Sequence, residues 1–265
     1  MTRVLSGAAL VVLTIAAVWL TPPVLFLVIA EALLVLGARE LLALSGAGHT
    51  AAPLAPTVAA GLTCASFGRS AFGAEVWLPL EVVLLSALVA LGTLALATWR
   101  RGNDTLAHTA FAFFPAVYLG LPLGSMVAVR ATWGPAVLFL LMLTVIVSDT
   151  AQYYSGRLWG RRLLAPTISP KKTIEGAAGG FVFGALTMIL VGREWLPAMP
   201  TLFRGLLGFG LVAAGIAGDL FESMLKRSAG VKDSSGLIPG HGGVLDRIDA
   251  LLFAAPVYYL VLTSL

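Results

Sequence analysis

The chain has 265 residues, of which 58% are hydrophobic and only 11% charged, with a net charge of +4 at neutral pH. A soluble domain carries about 25% charge, so the composition argues against an aqueous globular fold and for the bilayer as solvent. The basic residues are scattered between apolar runs, which excludes a nucleic-acid stripe, and the single cysteine, Cys64, excludes a disulfide framework or a cysteine-built metal site.

A membrane-crossing helix needs roughly 17–25 mostly apolar residues. Nine segments qualify: Val4 to Leu20, Pro23 to Leu44, Ala52 to Phe67, Trp77 to Trp99, Leu106 to Val129, Pro135 to Leu158, Ile174 to Val191, Leu202 to Leu225 and Arg247 to Leu265. In lipid each segment must satisfy its own backbone polar groups, so all are expected as helices. Arg3 before the first apolar run has the look of a signal peptide. No small-residue cleavage site follows, however, and Pro22-Pro23 leads straight into the next run, so the segment reads as a first span. The Ala52 to Phe67 segment is short and holds Pro53 and Pro56, and is the weakest of the nine. Cys64 within it reads as a small packing residue. The expected fold class is all-α: a polytopic helical membrane protein of about nine spans. It forms one integral domain over residues 1–265, with 1–147 apolar and 148–265 carrying the chemistry.

Nine spans put Arg3, Arg39, Arg100, Arg101, Arg157, Arg161, Arg162, Lys171, Lys172, Lys226, Arg227, Lys232 and Arg247 on the side of the N-terminus. Only Arg69, Arg130, Arg193 and Arg204 fall on the other. Positive-inside reasoning makes the first side cytoplasmic. Most of that excess lies in two charged loops, near Lys172 and near Lys226. Two spans separate these loops, so both face one compartment.

The N-terminal spans offer little chemistry. Glu31 and Glu81 lie within apolar runs, where an acid is a functional candidate by default, but a hydrogen bond to a neighbouring helix or an interfacial position explains either. Gly176, Gly179, Gly180 and Gly184 read as a face for close helix packing. Polar density rises at Ser148-Asp149-Thr150, where Asp149, Gln152, Tyr153 and Gly156 recur at helical spacing and share one face. The loop Ile168-Ser169-Pro170-Lys171-Lys172-Thr173 follows. Pro170 stops any incoming helix, and Glu175 falls in the first turn of the next span, where an acid suits the helix dipole. Lysines beside a helix N-terminus serve as a membrane anchor or receive a phosphate. Further on, Asp219, Glu222, Ser223 and Lys226 follow i, i+3, i+4 and i+7 spacing. Lys232-Asp233-Ser234-Ser235 and the turn Pro239-Gly240-His241-Gly242-Gly243 come next. The last span opens with Asp246-Arg247-Ile248-Asp249, whose two acids point the same way.

Carboxylates with Lys, Arg and glycine-rich backbone suit a hard cation and phosphate oxygens together. The set describes metal-assisted phosphoryl or nucleotidyl transfer, which works by positioning and charge neutralisation. No acid–histidine–serine triad is indicated around His241.

The run Ser223-x-Leu225-Lys226-Arg227, Lys232-Asp233, Pro239-Gly240-His241-Gly242-Gly243 and Asp246-Arg247-Ile248-Asp249 resembles the phosphatidate cytidylyltransferase (CDP-diacylglycerol synthase) family. Ser148-Asp149-Thr150, and Ile168 to Thr173 with Glu175-Gly176, are similar to it as well. Ile174 stands where an aromatic residue is common in that family. The resemblance covers roughly residues 148–250. It implies that CTP and phosphatidic acid react to CDP-diacylglycerol and pyrophosphate with Mg2+ as cofactor, a second cation being left open. It also implies a homodimer in a bacterial inner membrane. Asp219 and Asp246 are then the first choice of metal ligands, with Glu222 in the same set. Asp249 and Asp149 are further ligands or orienters of basic groups. Lys172, Lys226, Lys171, Arg227, Lys232 and Arg247 meet the phosphates of CTP and lipid, and Ser223 and His241 position them. A CTP-dependent polyprenol kinase is the nearest rival reading. A secondary transporter is disfavoured, because no internal repeat with paired broken helices is visible.

Overall fold

The computed structural model describes residues 2–45, 54–73, 77–98, 109–110 and 113–265. The expectations placed on the Arg3 side chain, Pro53, Arg100, Arg101 and the start of the Leu106 to Val129 segment lie outside the described residues. Ten α-helices are described: α1 (Thr2–Leu20), α2 (Pro23–Ser45), α3 (Leu54–Phe72), α4 (Leu80–Thr98), α5 (Leu121–Trp133), α6 (Pro135–Trp159), α7 (Ile174–Leu190), the single turn α8 (Gly192–Trp195), α9 (Thr201–Ser228) and α10 (Leu245–Thr263). A π-helical turn, Ala116–Gly120, leads into α5. Two short strands, β1 (Leu163–Ala165) and β2 (Ser169–Thr173), pair antiparallel where the sequence suggested an irregular loop. Pro170 fits there because a strand at a sheet edge tolerates a missing N–H.

Among the described residues, five helical stretches are long and apolar enough to cross a membrane: Leu80–Ala97, Phe113–Trp133, Pro135–Trp159, Ile174–Trp195 and Thr201–Ser228. The protein is a multi-pass, all-α membrane protein. α2 and α10 occupy two more of the expected spans but carry three charges each, Glu31, Arg39 and Glu40 within one and Asp246, Arg247 and Asp249 at the start of the other.

The chain divides into two compact units, the first of residues 1–132 with 233–246 and the second of 133–232 with 247–265. In the first, α3 packs against α2, α4 and the π-helical turn. The approach to the turn is tight: a Cβ on Gly120 would stand 2.8 Å from the Ala59 carbonyl oxygen. Thr63 donates to the Ala59 and Gly120 carbonyls at 3.1 and 3.3 Å. Arg130, at the end of α5, is buried yet satisfied. Its Nε donates to Val18 O at 3.0 Å, its Nη2 to Thr21 O, and its guanidinium lies 4.7 Å from the centre of the Phe26 ring. Cys64 departs from the packing role expected of it: it is exposed, and its thiol donates to Glu31 Oε1 at 3.4 Å. Glu81 sits exposed in the first turn of α4, a position that suits the helix dipole.

In the second unit, α7 lies against both α6 and α9. Its glycines allow this, as the sequence predicted. A Cβ on Gly176 would come within 2.8 Å of Gln152 O and one on Gly180 within 2.5 Å of Gln152 Cγ, while one on Gly184 would collide with Val212. Ala177, Val212 and Ile216 form the local core, with Leu164, Phe181 and Leu220 packed on it. α9 and α10 meet through Phe221 and Phe253, whose ring centres are 5.5 Å apart. They pack tightly at Gly218, where a Cβ would stand 2.5 Å from the Asp249 carbonyl oxygen.

Candidate active site

In the second unit, three helices and the hairpin bring one group of charged side chains together. Asp149 comes from α6, Lys172 from β2, Asp219 and Ser223 from α9, and Asp249 from α10. Lys172 Nζ pairs with Asp219 Oδ2 at 2.5 Å, and Ser223 Oγ donates to Asp219 Oδ1 at 3.4 Å. Asp149 Oδ1 accepts from Gln152 Nε2 at 2.9 Å, and Gln152 also reaches Ser148 Oγ at 3.2 Å. Asp249 Oδ1 accepts from the Ala250 N–H at 2.8 Å. Asp149 and Asp249 each feel the charge of Asp219; Lys172 opposes that charge at Asp149, and Lys226 does so at Asp249.

Local chemistry sets the hairpin. Thr173 caps α7, its side-chain oxygen accepting from Gly176 N at 3.1 Å, which satisfies an orphan donor of the first turn. Glu175 Oε2 accepts from the Arg161 and Arg162 N–H groups at 3.0 and 3.2 Å. The start of β1 is thereby tied to the start of α7, and Lys172 is held at the strand end beside Asp219. Lys171, the next residue back, is exposed.

Glu222, expected among the metal ligands, is fully buried and paired with the nearly buried Lys226 one turn on. Arg227 is exposed and donates to Val231 O at 3.1 Å, and Lys232 and Arg247 are exposed.

His241 and Asp246 belong to the first unit. Gly240 and Gly242 take φ values of +75° and +78° in the turn around His241, a backbone that other residues rarely adopt. The His241 ring places Nδ1 2.9 Å from Ser6 Oγ on α1, and Ser6 Oγ lies 3.3 Å from Pro239 O. Asp246 Oδ2 accepts from Ser234 N at 2.9 Å and Gly243 N at 2.8 Å, and lies 2.9 Å from Ser234 Oγ. Sequence reasoning passed over the residue that closes this loop. Glu40 of α2 accepts from Ser234 Oγ, Ser235 Oγ, Val244 N and Leu245 N. The signal in sequence was slight, an acid in an apolar helix one turn on from Gly37.

Magnesium takes one or two carboxylates and keeps several waters and substrate phosphates. Among the described residues no three acidic, histidine or cysteine side chains converge as a ready cage. The partly exposed Asp219 carboxylate is nonetheless a hard oxygen donor of the kind such an ion takes, so a site of one protein carboxylate completed by phosphate and water fits the residues.

The sequence matches the Cytidylyltransferase family over residues 1–265. Among curated proteins it is similar to phosphatidate cytidylyltransferases of Helicobacter pylori (36% identical over 67% of this chain and 63% of that one) and Thermotoga maritima (35%, over 69% and 68%). It is also similar to that of Pseudomonas aeruginosa (46% identical over 44% of each chain). The match spans less than two thirds of the Helicobacter protein's length. The chain belongs to the Cytidylyltransferase family.

Proposed function

We propose that this protein joins CTP to phosphatidic acid, releasing pyrophosphate and leaving CDP-diacylglycerol in the membrane. The observation that carries the reading is the Lys172–Asp219 pair set against Asp149 and Asp249. Family membership and the printed names of the relatives support the same chemistry.

A phosphate oxygen of the lipid attacks the α-phosphorus of CTP, and the bond from that phosphorus to the β-phosphate oxygen breaks. The lipid supplies the nucleophile, so the protein's task is orientation and charge neutralisation. Lys171, Arg227, Lys232 and Arg247, all exposed, receive the triphosphate from water. Lys172 exchanges its carboxylate partner for a phosphate oxygen, and Ser223 orients Asp219. Bound Mg2+ would neutralise charge on the triphosphate and on departing pyrophosphate. Of the carboxylates expected to hold it, Asp219 has the strongest claim. Asp249 and Asp149 feel its charge, whereas Glu222 is closed by Lys226, and Asp246 Oδ2 already takes two backbone N–H groups of its own loop. The charged loops and the N-terminus lie on the cytoplasmic side of a bacterial inner membrane, where CTP is found, and two copies associate as a homodimer. The excess of Lys and Arg in those loops supports the orientation.

The test is transfer of label from CTP carrying it at the α-phosphate, using protein in detergent with phosphatidic acid and Mg2+. A labelled lipid with one pyrophosphate released per turnover is expected. CDP with a newly phosphorylated lipid would make the protein a kinase, and absence of transfer to any phospholipid would overturn the reading.

A further inference from the structure

We infer that Glu40, on the second helix of the chain, is a positioning residue for cytidylyl transfer, holding the glycine-rich loop 233–246 in its working shape. The inference rests on the reading of the site proposed above. Glu40 is only 6% exposed, and a buried carboxylate is costly unless its oxygens are satisfied. Its partners here are all donors of one loop. Oε1 accepts from Ser235 Oγ at 2.6 Å and Val244 N at 3.0 Å, and Oε2 from Ser234 Oγ at 2.9 Å and Leu245 N at 2.9 Å. Leu245 opens α10, so a side chain from α2 fills orphan donors that a local cap usually takes. A negative charge there also suits the helix dipole.

The hold passes on to Asp246. The Ser234 hydroxyl stands 2.9 Å from both Glu40 Oε2 and Asp246 Oδ2, and Asp246 Oδ2 also takes the Ser234 and Gly243 N–H groups. A Cβ on Gly243 would collide with Ser234 Oγ and the Glu40 carboxylate, so this close packing leaves room only for glycine. The loop around His241 is therefore fixed at both ends by Glu40, through residues 234, 235, 244 and 245, and in its middle by Ser6 at His241.

The pattern of partners makes a sharp test. Each Glu40 oxygen receives one hydroxyl and one backbone N–H. A serine hydroxyl can turn and accept, but a backbone N–H cannot. In Glu40→Gln the new NH2 group therefore faces a backbone donor whichever way the amide is turned. The experiment compares the full-length wild type and E40Q in detergent, reading steady-state transfer and amide hydrogen exchange. Exchange at Val244 and Leu245 should rise at least about tenfold while α6 and α7 keep their protection. Turnover should fall about 10–100-fold, equal to about 1.4–2.7 kcal/mol of barrier, with KM for CTP changed less than about threefold. Wild-type kcat per folded molecule with only a lowered Tm would make Glu40 a stability residue and overturn the inference. If E40Q does not accumulate, the S234A/S235A double variant replaces it, keeping the carboxylate and its two main-chain bonds but removing both hydroxyls. A fall in kcat of about three- to tenfold is expected there, from two hydrogen bonds of modest net worth, and wild-type kcat would overturn the inference. A wild type without any cytidylyl transfer would sink the proposed reaction instead, and the exchange comparison would still decide whether Glu40 holds the loop.

Discussion

Lys172→Met and Asp219→Asn should separate stability from turnover, with opposite signs in stability. Two unit charges about 4 Å apart attract by roughly 4 kcal/mol at an effective dielectric of about 20. The Lys172 and Asp219 side chains retain 20% and 32% of their exposure, and partly solvated pairs return most of that gross attraction, leaving about 0.2–1 kcal/mol. The neighbours then decide the sign. Asp149 and Asp249 both feel the charge of Asp219, so D219N loses one salt bridge but relieves two repulsions. K172M loses the same bridge and leaves Asp219 and Asp149 with less opposing charge. Thermal unfolding in detergent should give D219N a Tm at or above wild type and K172M a Tm below it, each shift reflecting no more than about 1 kcal/mol. Turnover should behave otherwise. A preorganised charge acting at the reacting phosphates is worth about 10²–10³-fold, so both variants should lose at least that in transfer of label from CTP to lipid. The double variant should lose less than the product of the two, because both groups serve one step. Single variants that lose less than about fivefold, or whose losses follow their unfolded fractions, would refute the assignment of Lys172 and Asp219 to the chemistry.

Gly218→Ala places a methyl group 2.5 Å from the Asp249 carbonyl oxygen and 3.2 Å from Phe253 Cβ. Backbone cannot give way as a side-chain tip does, so a loss of about 1–3 kcal/mol is expected, read as a lower Tm with reduced turnover; an unchanged Tm would deny the close approach of α9 and α10. Chelation by EDTA should abolish transfer and added Mg2+ restore it, and full activity in EDTA would remove the ion from the reaction.

The helices were legible because hydrophobic runs and bilayer thickness constrain one another. The packing face of α7 was legible too, since Gly176, Gly180 and Gly184 recur on one side of an apolar helix. The polar face holding Asp149 and the spacing of Asp219, Glu222, Ser223 and Lys226 led to residues that the structure gathers or pairs. Spacing along one helix, however, reports which residues share a face and not which of them a neighbouring lysine neutralises. Glu222 and Asp219 look alike in sequence. Lys226 buries one, while the other meets Lys172 from the hairpin. The hairpin itself escaped notice because five residues containing a proline and two lysines carry no alternating apolar signal.

Asp246 and Asp249 show why the C-terminal segment needs more of the chain than its own residues. They stand three apart on α10 and read from sequence as a matched pair. In the structure Asp246 gathers Ser234 and Gly243, whereas Asp249 feels the charge of Asp219 and Asp149. One acid shapes a loop and the other adds charge to a site, and the boundary between the two compact units falls between them. A loop with two positive-φ glycines and no apolar core of its own cannot fix its shape by local preference, because such a backbone has the most freedom to lose. The missing constraint comes from outside the loop, from Glu40 on α2 and Ser6 on α1. The apolar N-terminal helices, which offered almost no chemistry when read alone, therefore contribute the side chains that keep the glycine-rich loop in one conformation.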